Sequence, residues 1–183
     1  DIYVNDLSDA LSNGTGSRCG IAPDRILSGD IETIALPGQF DCIVSASTFQ
    51  WLVQPEKTFE KLAMHMKEGG LLIFSTYGKY NLREIRMTTG GGLDYRSQDE
   101  IIEMLTPWFR VELIREEFRL LEFPDPLAIL QHLKKTGVNV SGNPVVWTRG
   151  RVNRFTEEYN RRFAMDGKVT LTYHPLYLVC RRL

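Results

Sequence analysis

Two apolar runs of strand length bracket one helical segment, and that bracket constrains the fold more than any other feature of the chain. Phe40-Asp41-Cys42-Ile43-Val44-Ser45-Ala46 and Leu71-Leu72-Ile73-Phe74-Ser75-Thr76 flank a stretch that opens at Pro55 and closes at Gly69-Gly70. Within it Phe59, Leu62, Ala63 and Met66 fall at i, i+3, i+4 and i+7, the spacing of one helix face. Strand, helix and strand of these lengths make a parallel βαβ unit. Ile2-Tyr3-Val4, and Arg25-Ile26-Leu27 leading into Ser28-Gly29-Asp30, extend the alternation upstream. The expected class is α/β, a largely parallel sheet with helices on both faces. The run Phe40–Ala46 is apolar enough to be covered on both sides, and Pro175 places the last strand, Tyr177-Leu178-Val179-Cys180, at an edge or bulge.

After residue 78 the rhythm changes. A helix is expected near 80–87, then a joint at Gly90-Gly91-Gly92, then a helix capped by Ser97 with Glu100 three positions on. Phe109 to Phe118 reads as a strand. A helix over 126–136, opened by Pro126 and closed by Gly137, carries Leu127, Leu130 and Leu133. A helix over 152–164 turns Val152, Phe155, Tyr159 and Phe163 inward and Arg151, Arg154, Arg161 and Arg162 outward. Residues 8–20 read as a connection.

The 183 residues, 43% hydrophobic and 25% charged, bury enough surface for one domain spanning 1–183. No apolar run reaches the length of a membrane span, and Asp1-Ile2-Tyr3-Val4-Asn5 lacks the basic start of a signal peptide, so the cytoplasm is the expected compartment and no membrane partner is expected. Three cysteines, Cys19, Cys42 and Cys180, form no CxxC pair; Cys42 and Cys180 sit in apolar runs as small hydrophobes, and neither a disulfide nor a metal site is expected. The formal net charge of −1 hides a polarity. Residues 1–60 hold 3 Lys/Arg and 9 Asp/Glu, whereas residues 132–168 hold 8 and 3. The basic 132–168 stretch is either a solvated helix face or a docking face for an acidic partner. Nucleic acid is not expected, because the aromatic residues there fall on the inward side.

Ligands of open α/β sheets sit at the carboxyl ends of the strands. The first strand ends in Asn5-Asp6-Leu7-Ser8, where Asp6 can accept from both hydroxyls of a ribose and Leu7 can pack on the base; Asp6 or Ser8 as a plain helix cap is the competing reading. The second ends in Gly29-Asp30-Ile31, a carboxylate for an exocyclic amine and an apolar cover for its ring, or a simple turn. The third ends in Ser45-Ala46-Ser47-Thr48-Phe49-Gln50-Trp51-Leu52, small residues that admit a ligand, then an amide and aromatic groups that also suit a core corner.

An acidic strand end at Asp6, Gly29-Asp30, Phe40-Asp41 opening a strand and Lys67-Glu68-Gly69-Gly70 before the next together resemble the class I S-adenosylmethionine-dependent methyltransferases. The segments 45–52, Phe74-Ser75-Thr76-Tyr77-Gly78, Leu82-Arg83-Glu84-Ile85-Arg86, Phe123-Pro124 running on to His132-Leu133-Lys134-Lys135-Thr136-Gly137, and Leu171-Thr172-Tyr173-His174 are similar to the biotin-synthesis methyltransferases that esterify the free carboxyl of malonyl-acyl carrier protein. The resemblance implies a Rossmann-like sheet with S-adenosylmethionine as cofactor, held by Asp6, Leu7, Asp30, Ile31 and Ser45. It implies a substrate site using Gln50, Trp51 and an arginine from Arg83, Arg86 and Arg96, with Arg83 first among them. It also implies substrate-covering regions at 79–96 and 119–168, chiefly helical, and a malonyl-bearing acyl carrier protein docked on the 132–168 face through Lys134, Lys135, Arg149, Arg151, Arg154, Arg161 and Arg162. Another small-molecule methyltransferase, or a degenerate binding domain of the same fold, fits residues 1–78 equally well.

In one respect the chain departs from that family. Its members place a strand and a glycine-rich loop ahead of the acidic strand end, and this chain begins after them. Gly14-Thr15-Gly16 lies eight residues past Asp6, with Cys19 where the loop needs its last glycine. The chain is therefore read as N-terminally incomplete, lacking a central strand, with two unpaired sheet edges. No catalytic His, Cys or general base is required, because a carboxylate nucleophile is already ionised at neutral pH. His65, His132 and His174 are expected to be structural.

Overall fold

The structure, a computed structural model, describes residues 1–136 and 147–183. In chain order the elements are β1 (Val4–Asp6), α1 (Asp9–Cys19), β2 (Ile26–Ser28), β3 (Phe40–Ala46), α2 (Pro55–Met64), β4 (Met66–Tyr77), α3 (Arg83–Thr89), α4 (Gln98–Leu105), β5 (Phe109–Glu116), β6 (Arg119–Phe123), α5 (Pro126–Lys135), α6 (Arg149–Phe163), β7 (Ala164–Met165), β8 (Lys168–Tyr173) and β9 (Pro175–Arg182). The βαβ unit is present as β3, α2 and β4, parallel and paired from Cys42 with Leu71 to Ala46 with Ser75. β9 then inserts antiparallel between β4 and β5, giving the order β3-β4-β9-β5. Pro175 therefore does not mark an edge strand. It is the first residue of an interior strand, where its missing N–H costs the ladder little.

β1 and β2 form a separate parallel pair. β1, β2, β3 and β5 each have one side without a strand partner among the described residues. Tyr3, just before β1, packs edge-on against Phe40 at the start of β3, with ring centroids 5.7 Å apart. β1 runs two residues further along the chain than its apolar residues suggested, and Ile2 is exposed.

Residues 8–20 were expected to be a connection but are largely the helix α1. One of the glycines that argue against a helix has a packing role: a Cβ on Gly16 would lie 2.3 Å from the tip of the Ile26 side chain, which would have to move for α1 to keep this close approach to β2. Ser12, fully buried, shares a 2.6 Å hydrogen bond with Ser28 across the same contact.

One face of the four-stranded sheet meets α2 and α4 in a core of Phe49, Phe59, Leu62, Leu72, Phe74, Ile101, Leu105, Phe109, Leu176 and Leu178. The capping box appears as expected: the Ser97 N–H donates to Glu100 and the Glu100 N–H to the Ser97 hydroxyl. On the opposite face Cys42, Val44 and Ala46 are exposed, so neither two-sided cover of β3 nor a buried Cys42 is found. Period-two burial explains the error, since a strand with one bare face still reads as an apolar run when its outward residues are Cys, Val and Ala. Leu72, central in β4 and fully buried, tests the core. Leu72→Ala should lower unfolding stability by about 2–5 kcal/mol in urea titration, and a loss below 1 kcal/mol would contradict this packing.

A second core gathers Leu82, Ile85, Ile129, Leu133, Phe155, Tyr159, Val169 and Leu171 from α3, α5, α6 and β8. The expected α5 and α6 are there, with Phe155 and Tyr159 inward and the arginines of α6 exposed. Leu127 is exposed instead of facing the core, where Ile129 takes its place, and Gly137 lies outside the described residues. The antiparallel sheet β6-β8-β7 was not foreseen. Its apolar residues, Val169, Leu171 and Tyr173 of β8 with Leu121 and Phe123 of β6, share one face against the second core but are interleaved with Thr and charged residues in strands of two to six residues.

Candidate active site

The carboxyl ends of β3 and β4 lie together because the strands are parallel. β9 begins and β5 ends at the same end, where Tyr77 pairs with Pro175 and Leu176 with Glu116. Among the described residues three non-glycine residues are in the left-handed region, and two of them, Ser47 (φ 53) and Leu82 (φ 51), are here; strained backbone of this kind concentrates at functional sites. Ser47 turns the chain out of β3, its N–H donating to the Ser75 carbonyl, and a short 3-10 turn (Phe49–Trp51) follows.

At the tip of β1, Asp6 Oδ1 accepts the Ser8 N–H at 2.8 Å, which starts α1. This is a turn ahead of the helix and not a cap, since neither Asp6 nor Ser8 bonds a first-turn N–H through its side chain, and the other Asp6 oxygen has no partner among the described residues. Beside it Leu7 is 76% exposed. Gly29 donates its N–H to the Asp6 carbonyl, and the Asn5 side chain donates to the Leu27 and Gly29 carbonyls, so the turn into Asp30 is held against the Asp6 tip. Asp30 Oδ1 accepts the Glu32 N–H in a tight turn, and Ile31 packs partly into the main core. Ser45, half-buried, pairs with Phe74.

Two residues that sequence reasoning passed over join this turn to the rest. Glu32 accepts the N–H groups of Val53 and Gln54 at 2.9 and 2.7 Å, at the start of α2. Lys61 donates to the Ile31 carbonyl at 2.8 Å and to that of Ile34. Desolvation pushes the Lys61 ammonium below its ordinary range, with the Asp30 carboxylate opposing. Nothing in the spacing of Glu32 or Lys61 signals these partners, which lie more than 20 residues away.

At the ends of β3 and β4 a narrow crevice of about 20 Å³ is lined by Phe49, Gln50, Thr76, Tyr77, Tyr95 and Arg96, among others. Gln50 Oε1 accepts the Thr76 hydroxyl at 3.3 Å, while its amide nitrogen donates to the Ser47 carbonyl. Trp51 is 44% exposed. Burial pushes the Tyr95 phenol above its ordinary pKa; the Asn81 side chain and the charge of Arg86 act against this. The Arg86 guanidinium carbon lies 5.7 Å from the Tyr95 ring centre, and its Nε is buried without a hydrogen-bond partner. Arg83 binds the buried Glu84 through Nε at 3.3 Å and is half exposed. Glu84 also accepts the Thr172 N–H and hydroxyl, which ties α3 to β8.

All three histidine rings make protein contacts. The His65 ring bonds the Gly38 carbonyl, and His132 bonds Tyr173 at 2.9 Å. His174 is 1% exposed: its Nδ1 accepts the Tyr80 N–H at 3.1 Å, and its Nε2 faces Glu116 at 2.6 Å. Since Nδ1 accepts, the proton is on Nε2. Phe118 stacks on the ring at 4.3 Å, and Gly78 lies so near that a Cβ there would be 2.5 Å from it. The turn 78–82 that leads into α3 is thereby fixed to the sheet. No group of His, Cys, Asp and Glu suited to a metal occurs among the described residues, and no helix among them is long and apolar enough to cross a membrane.

Residues 1–74 match the methyltransferase domain family. The malonyl-[acyl-carrier protein] O-methyltransferase of Bacteroides helcogenes is 42% identical, over 98% of this chain and 70% of that protein. The chain belongs to the malonyl-[acyl-carrier protein] O-methyltransferase family. A protein of the same name from Bacteroides fragilis is 37% identical over 99% of this chain but only 37% of its own length. The chain therefore spans between about a third and seven tenths of these two relatives. Among solved structures, the N-methyltransferase NodS of Bradyrhizobium japonicum, in complex with S-adenosyl-L-homocysteine, superposes with a TM-score of 0.52 at 13% identity, covering 98% of this chain and 65% of that one. The class I methyltransferase fold of the malonyl-[acyl-carrier protein] O-methyltransferase family is thus the fold of this chain.

Proposed function

We propose that the protein transfers a methyl group from S-adenosylmethionine to the free carboxylate of malonyl-acyl carrier protein, a step of biotin synthesis. The observation that carries this reading is the 42% identity to a methyltransferase of that name over nearly the whole chain. The strand tips suit the cofactor: Asp6 offers a free carboxylate oxygen to the ribose hydroxyls, exposed Leu7 a face for the base, and Asp30 with Ile31 an acceptor and cover for the amine-bearing ring. Ser45 lies near the carboxyl end of β3, in the other parallel pair. When bound, the cofactor supplies an activated methyl on a sulfonium.

The protein's own residues then have three tasks: to strip water from the carboxylate, to align it and to keep the site closed. Orientation of this kind contributes roughly 7–11 kcal/mol. No proton need be removed, since a carboxyl titrates near 4. Among the three arginines considered, Arg96 lines the crevice beside Gln50 and has no ion-pair partner among the described residues, so it receives the carboxylate, with bidentate geometry available. Gln50 and Trp51 shape the opposite wall. The crevice has room for about one water molecule, so the segment carrying Tyr95 and Arg96 must lift before an acyl end enters. The regions 79–96 and 119–168, whose described residues gather around a core of their own, act as the moving cover.

The carrier docks on exposed Lys134, Lys135, Arg149, Arg151 and Arg154; Arg161 and Arg162 are already paired with Glu158. Turnover of malonyl-acyl carrier protein should accordingly fall steeply between low and physiological salt, while a malonyl-pantetheine thioester is little affected. Equal salt dependence of both substrates would remove the docking face.

A further inference from the structure

A second recess lies outside the crevice, lined by Tyr80, Arg83, Arg86 and Met87 on the turn 78–82 and on α3. Its walls are apolar and open to solvent: Tyr80 is 49% and Met87 56% exposed, and Phe118, 58% exposed, stands 5.9 Å from the Tyr80 ring. Large apolar side chains gathered in the open mark a contact surface. Its polar side is cationic. The terminal amino groups of Arg83 have no protein partner among the described residues, and Arg86 keeps an unsatisfied buried Nε. The recess neighbours the crevice, with Arg86 between them: it lines the one and sits over Tyr95, which lines the other. A ligand for this place is long, amphipathic and anionic at its outer end.

We propose that the recess holds the phosphopantetheine arm of the acyl carrier, with Tyr80, Met87 and Phe118 along its apolar length and Arg83 on its phosphate. The assignment rests on the acyl-carrier reading above. It sets the arm beside the crevice, with Arg86 between the two, and a guanidinium with free donors suits a phosphodiester.

The test is calorimetric binding of free phosphopantetheine and free pantetheine, neither carrying an acyl group, to the protein and to its Arg83→Ala variant. The phosphorylated compound should bind the unaltered protein about tenfold more tightly or better. Arg83→Ala should bring it to the level of pantetheine, and Met87→Asp should weaken both. Equal affinity of the two compounds for the unaltered protein, or a preference that survives in Arg83→Ala, overturns the proposal. Methylation of malonyl-acyl carrier protein without such a preference sinks the recess assignment and leaves the reaction standing. The preference without methylation does the reverse.

Discussion

Arg96→Ala should lower kcat/KM for malonyl-acyl carrier protein by roughly 30- to several-thousand-fold, which corresponds to the 2–5 kcal/mol lost when one member of a desolvated charge pair is removed. The reason is geometric. Arg96 is the arginine that shares the crevice with Gln50, Thr76 and Tyr95 at the carboxyl ends of β3 and β4. Arg83 is half exposed and already engaged with Glu84, whereas Arg86 is turned onto Tyr95. Arg96→Lys should recover part of the loss, since a point charge replaces a planar fork. Binding of S-adenosylmethionine should stay as it was. A rate within threefold of the unaltered protein would remove Arg96 from the site and return the role to Arg83 or Arg86.

Asp6→Ala should weaken S-adenosylmethionine binding by roughly 2–5 kcal/mol in calorimetric titration, on the order of two charge-assisted hydrogen bonds to the ribose. The variant also loses the acceptor for the Ser8 N–H at the start of α1, so Asp6→Asn is the control. Asparagine can keep that turn through its amide oxygen but loses the charge offered to the hydroxyls. If the carboxylate serves the cofactor, Asp6→Asn is nearly as weak in binding as Asp6→Ala, with an unchanged melting temperature. If Asp6 only holds that turn, Asp6→Asn binds normally.

The sequence was most informative where one physical signal dominated. The apolar run Phe40–Ala46, the spacing of Phe59, Leu62 and Ala63 and the Ser97–Glu100 box each specify local geometry without help and are found in place, whereas Met66 and Gly69-Gly70, expected on and at the end of that helix, belong to β4. α1 was missed because its helix depends on a tertiary contact, Gly16 against Ile26, which local propensity opposes. The bare face of β3 was missed because residue type reports apolarity and not what lies across from it. At the site, the acidic strand tips could be read from position alone. Glu32 and Lys61 could not, since their work is done through partners 21 to 30 residues distant in the chain. The interior place of β9 was hidden for the same reason, as Pro175 is a local sign and sheet order is a global one.

The most direct measurement supplies the protein with S-adenosylmethionine bearing a deuterated methyl and with malonyl-acyl carrier protein, then follows the acyl group by mass spectrometry. The label should arrive as an ester on the malonyl carboxyl, leave as deuterated methanol on mild alkaline hydrolysis, and be absent when acetyl-acyl carrier protein is used instead. Label that never reaches the malonyl group, or that reaches the acetyl carrier equally well, would contradict the transfer of methyl to a free carboxylate.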